Sequence, residues 1–343
     1  MDYIQLAFDL LGNPWIRGVV GLIVVGVIFF SAIVMVWLER KFLGDIQTRP
    51  GPNRVGGRFG LLQLVADAIK LFTKEDIVPE NADKPVHAGG PIVALTSAFL
   101  MAVAVPYGVV SFEGSEYLLA VTTMDISALY VEAVAAVSII ALFMAGWGSN
   151  NKYSLLGAFR NIARMLGYEV PLGLAVLSVA VMAQSLDFVQ IVSRQEQLAW
   201  FIFMQPLGFI VFGVALLADL GRIPFDQIEA EEELIAGVFT EYSSMRWGFA
   251  FFAEYLHAIV GACLVVILFL GGWSGLPFLG TLFIPPVLWF VGKVFVVIMV
   301  MIWIRGALPR VRIDQVTDLG WKVLFPYSLI NLVWAAAVAM VVS

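Results

Sequence analysis

Five carboxylates fall within eight consecutive positions near the middle of the chain, between two segments that are hydrophobic enough to cross a membrane. They are Asp226, Glu229, Glu231, Glu232 and Glu233. Carboxylates held close together beside a region of low dielectric constant disfavour one another's charged form, so they take up and release protons as a coupled set. The cluster therefore predicts proton-handling chemistry at a membrane surface. The alternative is a solvated acidic loop, because runs of charge usually face water.

The spacing within the cluster suggests how its members meet. If residues 226–233 are helical, Asp226, Glu229 and Glu233 share one face, since residues three and four apart in a helix are neighbours. We expect Arg222 and Arg40 to hold part of this set in its ionised form.

Three ionisable residues are expected deep inside hydrophobic segments: Glu132, Glu254 and Lys293. Such a residue needs a partner or a water-filled path, and it marks function by default. Glu254 and Lys293 are candidates to pair with each other. The alternative to a functional role for them is a purely structural ion pair. His257 and Cys263 are interpreted as packing residues, since neither has a metal-ligating companion at helical spacing.

A composition of 61% hydrophobic and 13% charged residues lies far outside that of soluble domains and indicates an all-α, polytopic membrane protein. A helix that crosses a membrane needs about 20 consecutive apolar residues. Eight such segments occur, at residues 18–38, 90–110, 126–146, 169–186, 201–219, 247–270, 284–304 and 323–342. Residues 1–343 are therefore predicted to form a single membrane domain of eight transmembrane helices.

The basic residues predict the orientation, because Lys and Arg avoid loops that are translocated. Of the 20 Lys and Arg residues, only Arg17, Arg194 and Lys293 lie outside four loops. These loops are residues 39–89, 147–167, 220–246 and 305–322. We expect them on the cytoplasmic side of a prokaryotic inner membrane, with both termini outside. The net charge of −6 argues against binding to nucleic acid.

The first loop, residues 39–89, is longer than a connection between helices needs, which is typical of functional loops. A turn-forming segment with three arginines occupies residues 49–58. An amphipathic helix follows, with polar Gln63, Asp67, Lys70 and Lys74 on one face and apolar Leu61, Val65, Ile69 and Phe72 on another. We expect this helix to lie in the membrane interface. A surface helix that only anchors the loop is the alternative.

The chain lacks the residues that bind common redox centres. It has one cysteine and two histidines, which do not suffice for a cysteine-bound iron–sulfur cluster and do not suggest a bis-histidine haem. It also lacks a Gly-rich phosphate-binding or dinucleotide-binding loop. We therefore expect no metal or cofactor on this chain, and we assign any redox centre to a partner.

Motifs in all four predicted cytoplasmic loops carry a family resemblance. In the first loop they are residues 39–44 (ERKFLG), 51–56 (GPNRVG), 60–63 (GLLQ), 66–70 (ADAIK) and 74–76 (KED). In the other loops they are residues 145–147, 152–158, 224–226, 229–234, 240–243, 308–310, 314–315 and 319–322. In colinear order from about residue 20 onward, the chain resembles the H subunit of proton-pumping NADH:quinone oxidoreductase, respiratory complex I.

The resemblance implies a membrane subunit whose loops and helix ends form a chamber that admits quinone as substrate. The chamber residues are then Glu39, Arg40, Asp67, Lys70, Arg222, Arg305 and Arg310. The proton path takes Asp219, Asp226, Glu229, Glu231, Glu232, Glu233, Glu169 and Glu254, with Glu132 and Lys293 added because of their expected depth.

The resemblance also implies partners. They are the quinone-site and terminal iron–sulfur-cluster subunits of a soluble arm, small membrane subunits and antiporter-like subunits, all around a lipid bilayer. FMN and the iron–sulfur clusters belong to partner subunits, so this chain acts within a translocase without a redox centre of its own. Departures such as Gln227-Ile228, where Leu-Pro is frequent, indicate a divergent branch whose quinone type and electron donor stay open.

Two alternatives remain. One is the homologous anchoring subunit of a membrane-bound hydrogenase or of a ferredoxin-dependent or coenzyme-dependent complex. The other is a stand-alone ion-coupled transporter, which the ionisable residues within the membrane favour. Against the transporter, the sequence contains no internal repeat and no pair of broken helices.

Overall fold

The structure is a computed structural model, and it describes residues 14–112, 115–228, 231–275 and 285–342. Its helices are α1 (Pro14–Ile46), α2 (Gln63–Thr73), α3 (Lys84–Val103), α4 (Ser127–Gly148), α5 (Lys152–Ala183), α6 (Phe188–Gln197), α7 (Phe201–Met204), α8 (Pro206–Asp219), α9 (Glu231–Leu234), α10 (Ser244–Phe269), α11 (Pro286–Ala307), α12 (Ile313–Asp318) and α13 (Phe325–Val342). A 3₁₀ turn covers Gly237–Phe239, and a π-helical segment covers Leu319–Leu324. Two short strands, β1 (Val109–Phe112) and β2 (Ser115–Leu118), form an antiparallel hairpin.

Six helices in the described part of the chain are long and apolar enough to cross a membrane. They are α3, α4, α5, α10, α11 and the continuous helix Ile313–Val341, which combines α12, the π-helical segment and nearly all of α13. Helix α8 is apolar but shorter. The predicted class, an all-α polytopic membrane protein, is thus confirmed, with one short hairpin added. The predicted segment 18–38 lies within α1, and the count of eight crossings stays a prediction.

Helix α5 differs most from its predicted segment. It covers most of residues 169–186 but begins at Lys152, so most of the expected loop at 147–167 is helical. The side chain of Asn151 accepts a hydrogen bond from the backbone N–H of Tyr153 at 2.8 Å. This bond satisfies one of the amides that a helix start leaves unpaired, so it stabilises the early beginning of α5.

Two other predicted segments end or divide where the backbone chemistry changes. The segment at 201–219 is divided between α7 and α8 at Gln205, because Pro206 has no backbone N–H with which to continue a helix. The segment at 90–110 is helical only to Val103, after which the chain enters the hairpin. Neither change was visible to a search for apolar runs, since the residues on both sides are apolar.

Helix α10 lies at the centre of the bundle and contacts α1, α3 and α11. Its side chains Leu256 and Ile267 are completely buried. Helices α3 and α4 approach closely through small residues, because a Cβ on Gly90 would lie 2.9 Å from the backbone N of Ala145. Close packing of small residues is a main source of helix association in membranes. Because α10 contacts α1, α3 and α11, its residues are positioned against several helices at once.

The predicted amphipathic helix is present as α2. None of its residues is buried, and Val65, Ile69 and Phe72 are exposed. Its contact to the bundle includes a hydrogen bond of 3.0 Å from the Ser244 hydroxyl, at the start of α10, to the carbonyl of Leu71. An exposed apolar face on a surface helix suits the membrane interface.

Candidate functional site

A network of charges with a buried centre joins α1, α10 and α11 to the loop that follows α8. Glu39 and Arg222 are buried, whereas Glu254 and Arg305 are partly exposed. Glu39 of α1 is 2% exposed. Its Oε2 accepts a hydrogen bond from Nη1 of Arg222 at 2.7 Å, and its Oε1 accepts one from Nη1 of Arg305. Nε of Arg222 also lies 3.2 Å from Oε1 of Glu254. Two carboxylates and two guanidinium groups are thus held together, so their charges balance when all four are ionised.

Arg222 is the centre of this network. Burial acts to lower the pKa of its guanidinium, but the carboxylates of Glu254 and Glu39 outweigh burial and raise the pKa of Arg222 above its ordinary value. The Arg222 guanidinium also lies over the ring of Tyr255, 4.3 Å from its centroid. Arg222 therefore supplies a permanent positive charge beside both carboxylates.

A cavity of about 80 Å³ lies beside the network. Its walls include Asp219, Arg222, Asp226, Glu254, His257 and Arg305. A cavity of roughly 15 Å³ holds one water molecule when polar groups surround it, so this cavity has room for several. Carboxylates that share a wetted cavity are able to exchange protons through water.

A second cavity of about 20 Å³ lies further along α10, between α3, α4, α5 and α8. Its polar lining residues are Glu132, Asp219 and His257, and the other lining residues are apolar or glycine. The carboxylates of Asp219 and Glu169 act on Glu132 electrostatically. Three acids that the sequence predicts separately, on α4, α5 and α8, are therefore brought into one group within the bundle.

Arg164 of α5 holds the loop after α8 in place. Its completely buried guanidinium donates hydrogen bonds to the carbonyls of Phe225 at 3.3 Å and Asp219 at 3.4 Å, and also to the side chain of Asn161. Because these two carbonyls stand on either side of Arg222, Arg164 sets the position of that residue. From sequence alone, Arg164 serves only as a marker of a cytoplasmic loop.

The acidic segment does not form the continuous helix that its spacing permits. Residues 226–228 are non-helical, and the helix that follows, α9, has only four residues. Nε of Arg310 donates to the carbonyl of Asp226 at 2.7 Å, so a tertiary contact takes the place of a helical hydrogen bond. The condition that residues 226–233 are helical is therefore not met at the first three positions.

Glu233 connects the acidic segment to two arginines. It forms ion pairs with Arg160 of α5 and with Arg310, whose Nη2 lies 3.4 Å from Oε1 of Glu233. Glu229 lies outside the described residues, and so do the side chains of Glu231 and Glu232.

Arg40 and Asp67 form an ion pair that connects the end of α1 to α2. The side chain of Gln63 donates to the other carboxylate oxygen of Asp67 at 3.1 Å. Lys70 is exposed on α2. Glu39 and Arg40 are neighbours in sequence but have partners in different parts of the structure. Glu39 faces the buried network, and Arg40 faces the amphipathic helix.

Lys293 and Glu254 have different partners, so the expected pair between them is wrong. Glu254 pairs with Arg222, as described above. Nζ of Lys293 donates hydrogen bonds to the carbonyls of Leu270, Gly272 and Ser274 at 2.7, 3.0 and 2.7 Å. It also lies 4.2 Å from the centroid of the Trp200 ring. A cation at the end of α10 stabilises the negative end of the helix dipole, which is a structural role.

The first and third loops meet at His87, at the start of α3. Its ring stacks on Tyr242 with 4.1 Å between centroids, and its Nδ1 accepts from Nη1 of Arg246 at 3.2 Å. Arg246 in turn forms an ion pair of 2.9 Å with Asp76. The Tyr242 hydroxyl donates to the His87 carbonyl at 2.8 Å, and burial raises the pKa of Tyr242. These contacts connect the loop after α2 to the start of α10.

Sequence reasoning did not single out Arg164 and Tyr255 as parts of the site. A signal for Arg164 was the spacing of the polar residues Arg160, Asn161 and Arg164, which places them on one helix face. Among the residues that the structure describes, no group of three or more His, Cys, Asp or Glu side chains is placed to hold a metal ion.

The chain is similar to known membrane subunits over nearly its whole length. The family model described as NADH dehydrogenase matches residues 19–336. The H subunit of F420H2 dehydrogenase from Methanosarcina acetivorans is 60% identical over 333 residues, which cover 95% of this chain and 94% of that protein. The H subunit of NADH-quinone oxidoreductase from Dehalococcoides mccartyi is 46% identical over 323 residues, 94% of this chain and 87% of that protein. Its counterpart from Geobacillus thermodenitrificans is 44% identical over 317 residues, 92% and 91% of the two chains. The chain therefore belongs to the NADH dehydrogenase family, as a relative of the H subunits of complex I-type enzymes.

Proposed function

We propose that this membrane subunit of a complex I-type enzyme forms a quinone-access chamber together with the soluble arm and couples quinone reduction to proton translocation. The observation that carries the proposal is the buried network of Glu39, Arg222, Glu254 and Arg305 beside a cavity with room for water. Reduction leaves negative charge on a quinone head group unless protons follow. Ionisable groups beside the chamber respond to that charge by taking up protons.

The chamber of this proposal has two parts, one within this chain and one that a soluble subunit completes. Its residues are Glu39, Arg40, Asp67, Lys70, Arg222, Arg305 and Arg310. The cavity beside them measures about 80 Å³, far below the roughly 300 Å³ at which small-molecule pockets begin. The quinone ring therefore binds where a soluble subunit completes the chamber, and the cavity within this chain holds water and carboxylates behind the ring.

The proton path of this proposal leads from the acidic segment into the bundle. Its residues are Asp226, Glu229, Glu231, Glu232, Glu233, Glu254, Asp219, Glu132 and Glu169. Glu169 faces the route to antiporter-like subunits. Lys293 is left out of the path, since its ammonium group is bound by three carbonyls at the end of α10.

The proposed orientation follows the basic residues. Residues 39–89, 147–167, 220–246 and 305–322 face the cytoplasm, where the soluble arm with its iron–sulfur clusters docks, and both termini lie outside. This arrangement puts the chamber residues of α1, α2 and the loop after α8 on the side where electrons arrive.

A second candidate concerns the electron donor. Identity is 60% to the H subunit of an F420H2 dehydrogenase and 46% to that of an NADH-quinone oxidoreductase, over similar shares of the chain. The higher identity favours reduced F420, rather than NADH, as the compound that feeds electrons into the assembly of this chain. The membrane subunit itself does not contact the donor in this proposal.

The first experiment isolates the assembly that contains this chain from gently solubilised native membranes and identifies its companions by mass spectrometry. The same preparation is assayed for quinone reduction with NADH and with reduced F420. Antiporter-like subunits together with inhibitor-sensitive quinone reduction support the proposal, and the faster donor decides the second question. A nickel–iron hydrogenase subunit without quinone reduction contradicts it, and so does ion transport by the purified chain alone.

The chamber assignment is tested by Asp67→Asn, which removes the charge that pairs with Arg40. We expect quinone reduction to fall by up to about fivefold, because a partly exposed ion pair contributes up to about 1 kcal/mol. Electron transfer to a hydrophilic acceptor in the soluble arm should not change. The control is Asp318→Asn, whose exposed pair with Lys322 lies outside the chamber. An equal loss with both acceptors would indicate failed assembly instead of an altered chamber.

A further inference from the structure

His257 occupies an unusual position between the two cavities. Its side chain lines the cavity beside the charge network and also the smaller cavity that contains Glu132. Only Asp219 and Leu220 also line both of the cavities described above. His257 follows Glu254 by three residues on α10 and precedes Gly261 by four, so the three residues lie along one face of the helix. This face connects the charge network to the second cavity.

The hydrogen bonds of the ring determine where its lone pair lies. Nδ1 of His257 is 3.1 Å from the carbonyl oxygen of Ala253. A carbonyl oxygen only accepts, so Nδ1 carries the hydrogen and Nε2 of the neutral ring carries the lone pair. Nε2 is shielded from solvent and has no hydrogen-bond partner within the described residues. A buried nitrogen without a partner is costly, which is a reason to look for a proton or water that it binds.

We propose that His257 is a proton relay between the two cavities. Nε2 takes up a proton from water or a carboxylic acid in the larger cavity, which gives an imidazolium whose Nδ1–H stays on the carbonyl of Ala253. Nε2 then releases the same proton to water or a carboxylate in the smaller cavity, and the neutral ring returns. The donor in the larger cavity is left as a carboxylate, or as hydroxide where it is water, until a proton from the chamber restores it. The acceptor in the smaller cavity becomes a carboxylic acid or a hydronium ion, so charge and atoms balance.

The acids that line the two cavities suit this role. Asp219 lines both cavities together with His257, so a carboxyl group that is able to accept or release a proton borders each of them. The smaller cavity measures about 20 Å³ and is otherwise apolar apart from Glu132, so it holds about one water molecule. A single water gives no continuous route between the cavities, so a proton that crosses passes through a titratable side chain that borders both, which among the described residues is His257 or Asp219.

This inference rests on the proposed function, because it assigns a step within the same proton path. From the sequence, His257 is interpreted as a packing residue, because it has no metal-ligating companion at helical spacing. The proposed relay replaces that interpretation. The two interpretations differ in what a side chain of similar size, without the ability to take up and release a proton, would do.

The test uses His257→Gln in the complete assembly, reconstituted in vesicles with a pH-sensitive dye inside. Gln fills a similar volume and keeps an N–H that donates to Ala253, but it does not titrate. We expect proton translocation driven by quinone reduction to fall about 10²-fold, which is the usual contribution of a positioned acid–base group. Cys263→Ala is the packing control, since this buried residue of α10 lines neither cavity. His257→Asn repeats the test if the Gln variant does not assemble.

A double variant decides whether the ring and Glu132 act in series. Glu132→Gln alone should reduce translocation as His257→Gln does, and the pair together should reduce it no further, since residues on one route are not additive. Wild-type translocation in the His257 variants, or a double variant that loses the product of the two single effects, overturns the relay. If wild-type vesicles reduce quinone without moving protons, the proposed function fails as well, which separates the two outcomes.

Discussion

Individual side chains in this protein act through shared partners. Glu39 accepts from two arginines, and Arg222 faces two carboxylates. Taking paired charges out of water costs several kcal/mol for each ion, so such a network is weak evidence for stability, and removing one member leaves a charge uncompensated. Function at this scale depends on the whole set, because each residue sets the charge that its neighbours experience.

We expect Arg222→Met to leave Glu39 and Glu254 buried without their common partner and to destabilise the protein by about 3–5 kcal/mol. Adding only Glu254→Gln to this variant should restore much of the stability, since the carboxylate that then remains, Glu39, keeps Arg305 as its partner. Thermal unfolding of the purified assembly measures both effects. Arg312→Met, which removes an exposed arginine that pairs with Asp314, is the control. A melting temperature for Arg222→Met equal to that of the control would contradict the network's energetic role.

At the scale of elements, the site is positioned by side chains that bind the end of another helix or the loop after it. Arg164 holds the loop after α8 from α5, and Lys293 of α11 holds the end of α10. Both are cations that bind backbone carbonyls, so each fixes one element against another. Helix α10, which carries Glu254 and His257, is thereby held at its C-terminal end.

Lys293→Met tests whether that lysine is structural or part of the proton path. Because hydrogen bonds to a charged group contribute about 1.5–3 kcal/mol each, we expect a lower melting temperature of the assembly. Proton translocation per quinone reduced should stay at the wild-type value in assemblies that remain folded. Lys322→Met, at an exposed lysine, is the control and should change neither quantity. Unchanged stability with reduced translocation would return Lys293 to the proton path.

At the scale of the whole molecule, the charged side and the apolar bundle separate clearly. The buried network, the Arg40–Asp67 pair and the joint at His87 all involve the loops that are rich in Lys and Arg. Translocation of basic loops is disfavoured, so the proposed orientation puts these features on one side of the membrane. Under the proposed function, that side receives the soluble arm, and the helices carry the acids into the bilayer.

The orientation is tested by Arg54→Cys and Ser193→Cys, at exposed residues in the first loop and on α6. A membrane-impermeant thiol reagent should label Arg54→Cys only in inside-out vesicles from which the soluble arm has been stripped. Ser193→Cys should be labelled only in right-side-out vesicles. The native Cys263 is buried and should contribute little background. Labelling in the opposite sense would reverse the proposed orientation.

Local patterns in the amino-acid sequence were enough to define the class of protein, the approximate positions of the helices and the presence of a basic side with an acidic cluster. About 20 consecutive apolar residues suffice to define a membrane segment, so no long-range contact has to be known. The loop motifs were likewise readable because each lies within a few adjacent positions. The hairpin and the division at Gln205 were not, because apolar residues continue through both.

Which ionisable groups meet was settled by tertiary packing alone. Glu254 pairs with Arg222 rather than Lys293, and Glu39 contacts two arginines that lie 183 and 266 positions away in sequence. Such pairings depend on how each helix is rotated about its axis and on the path of the loops, neither of which a hydropathy pattern specifies. The two cavities that share His257 arise in the same way, from the packing of five helices around α10 and the loop after α8.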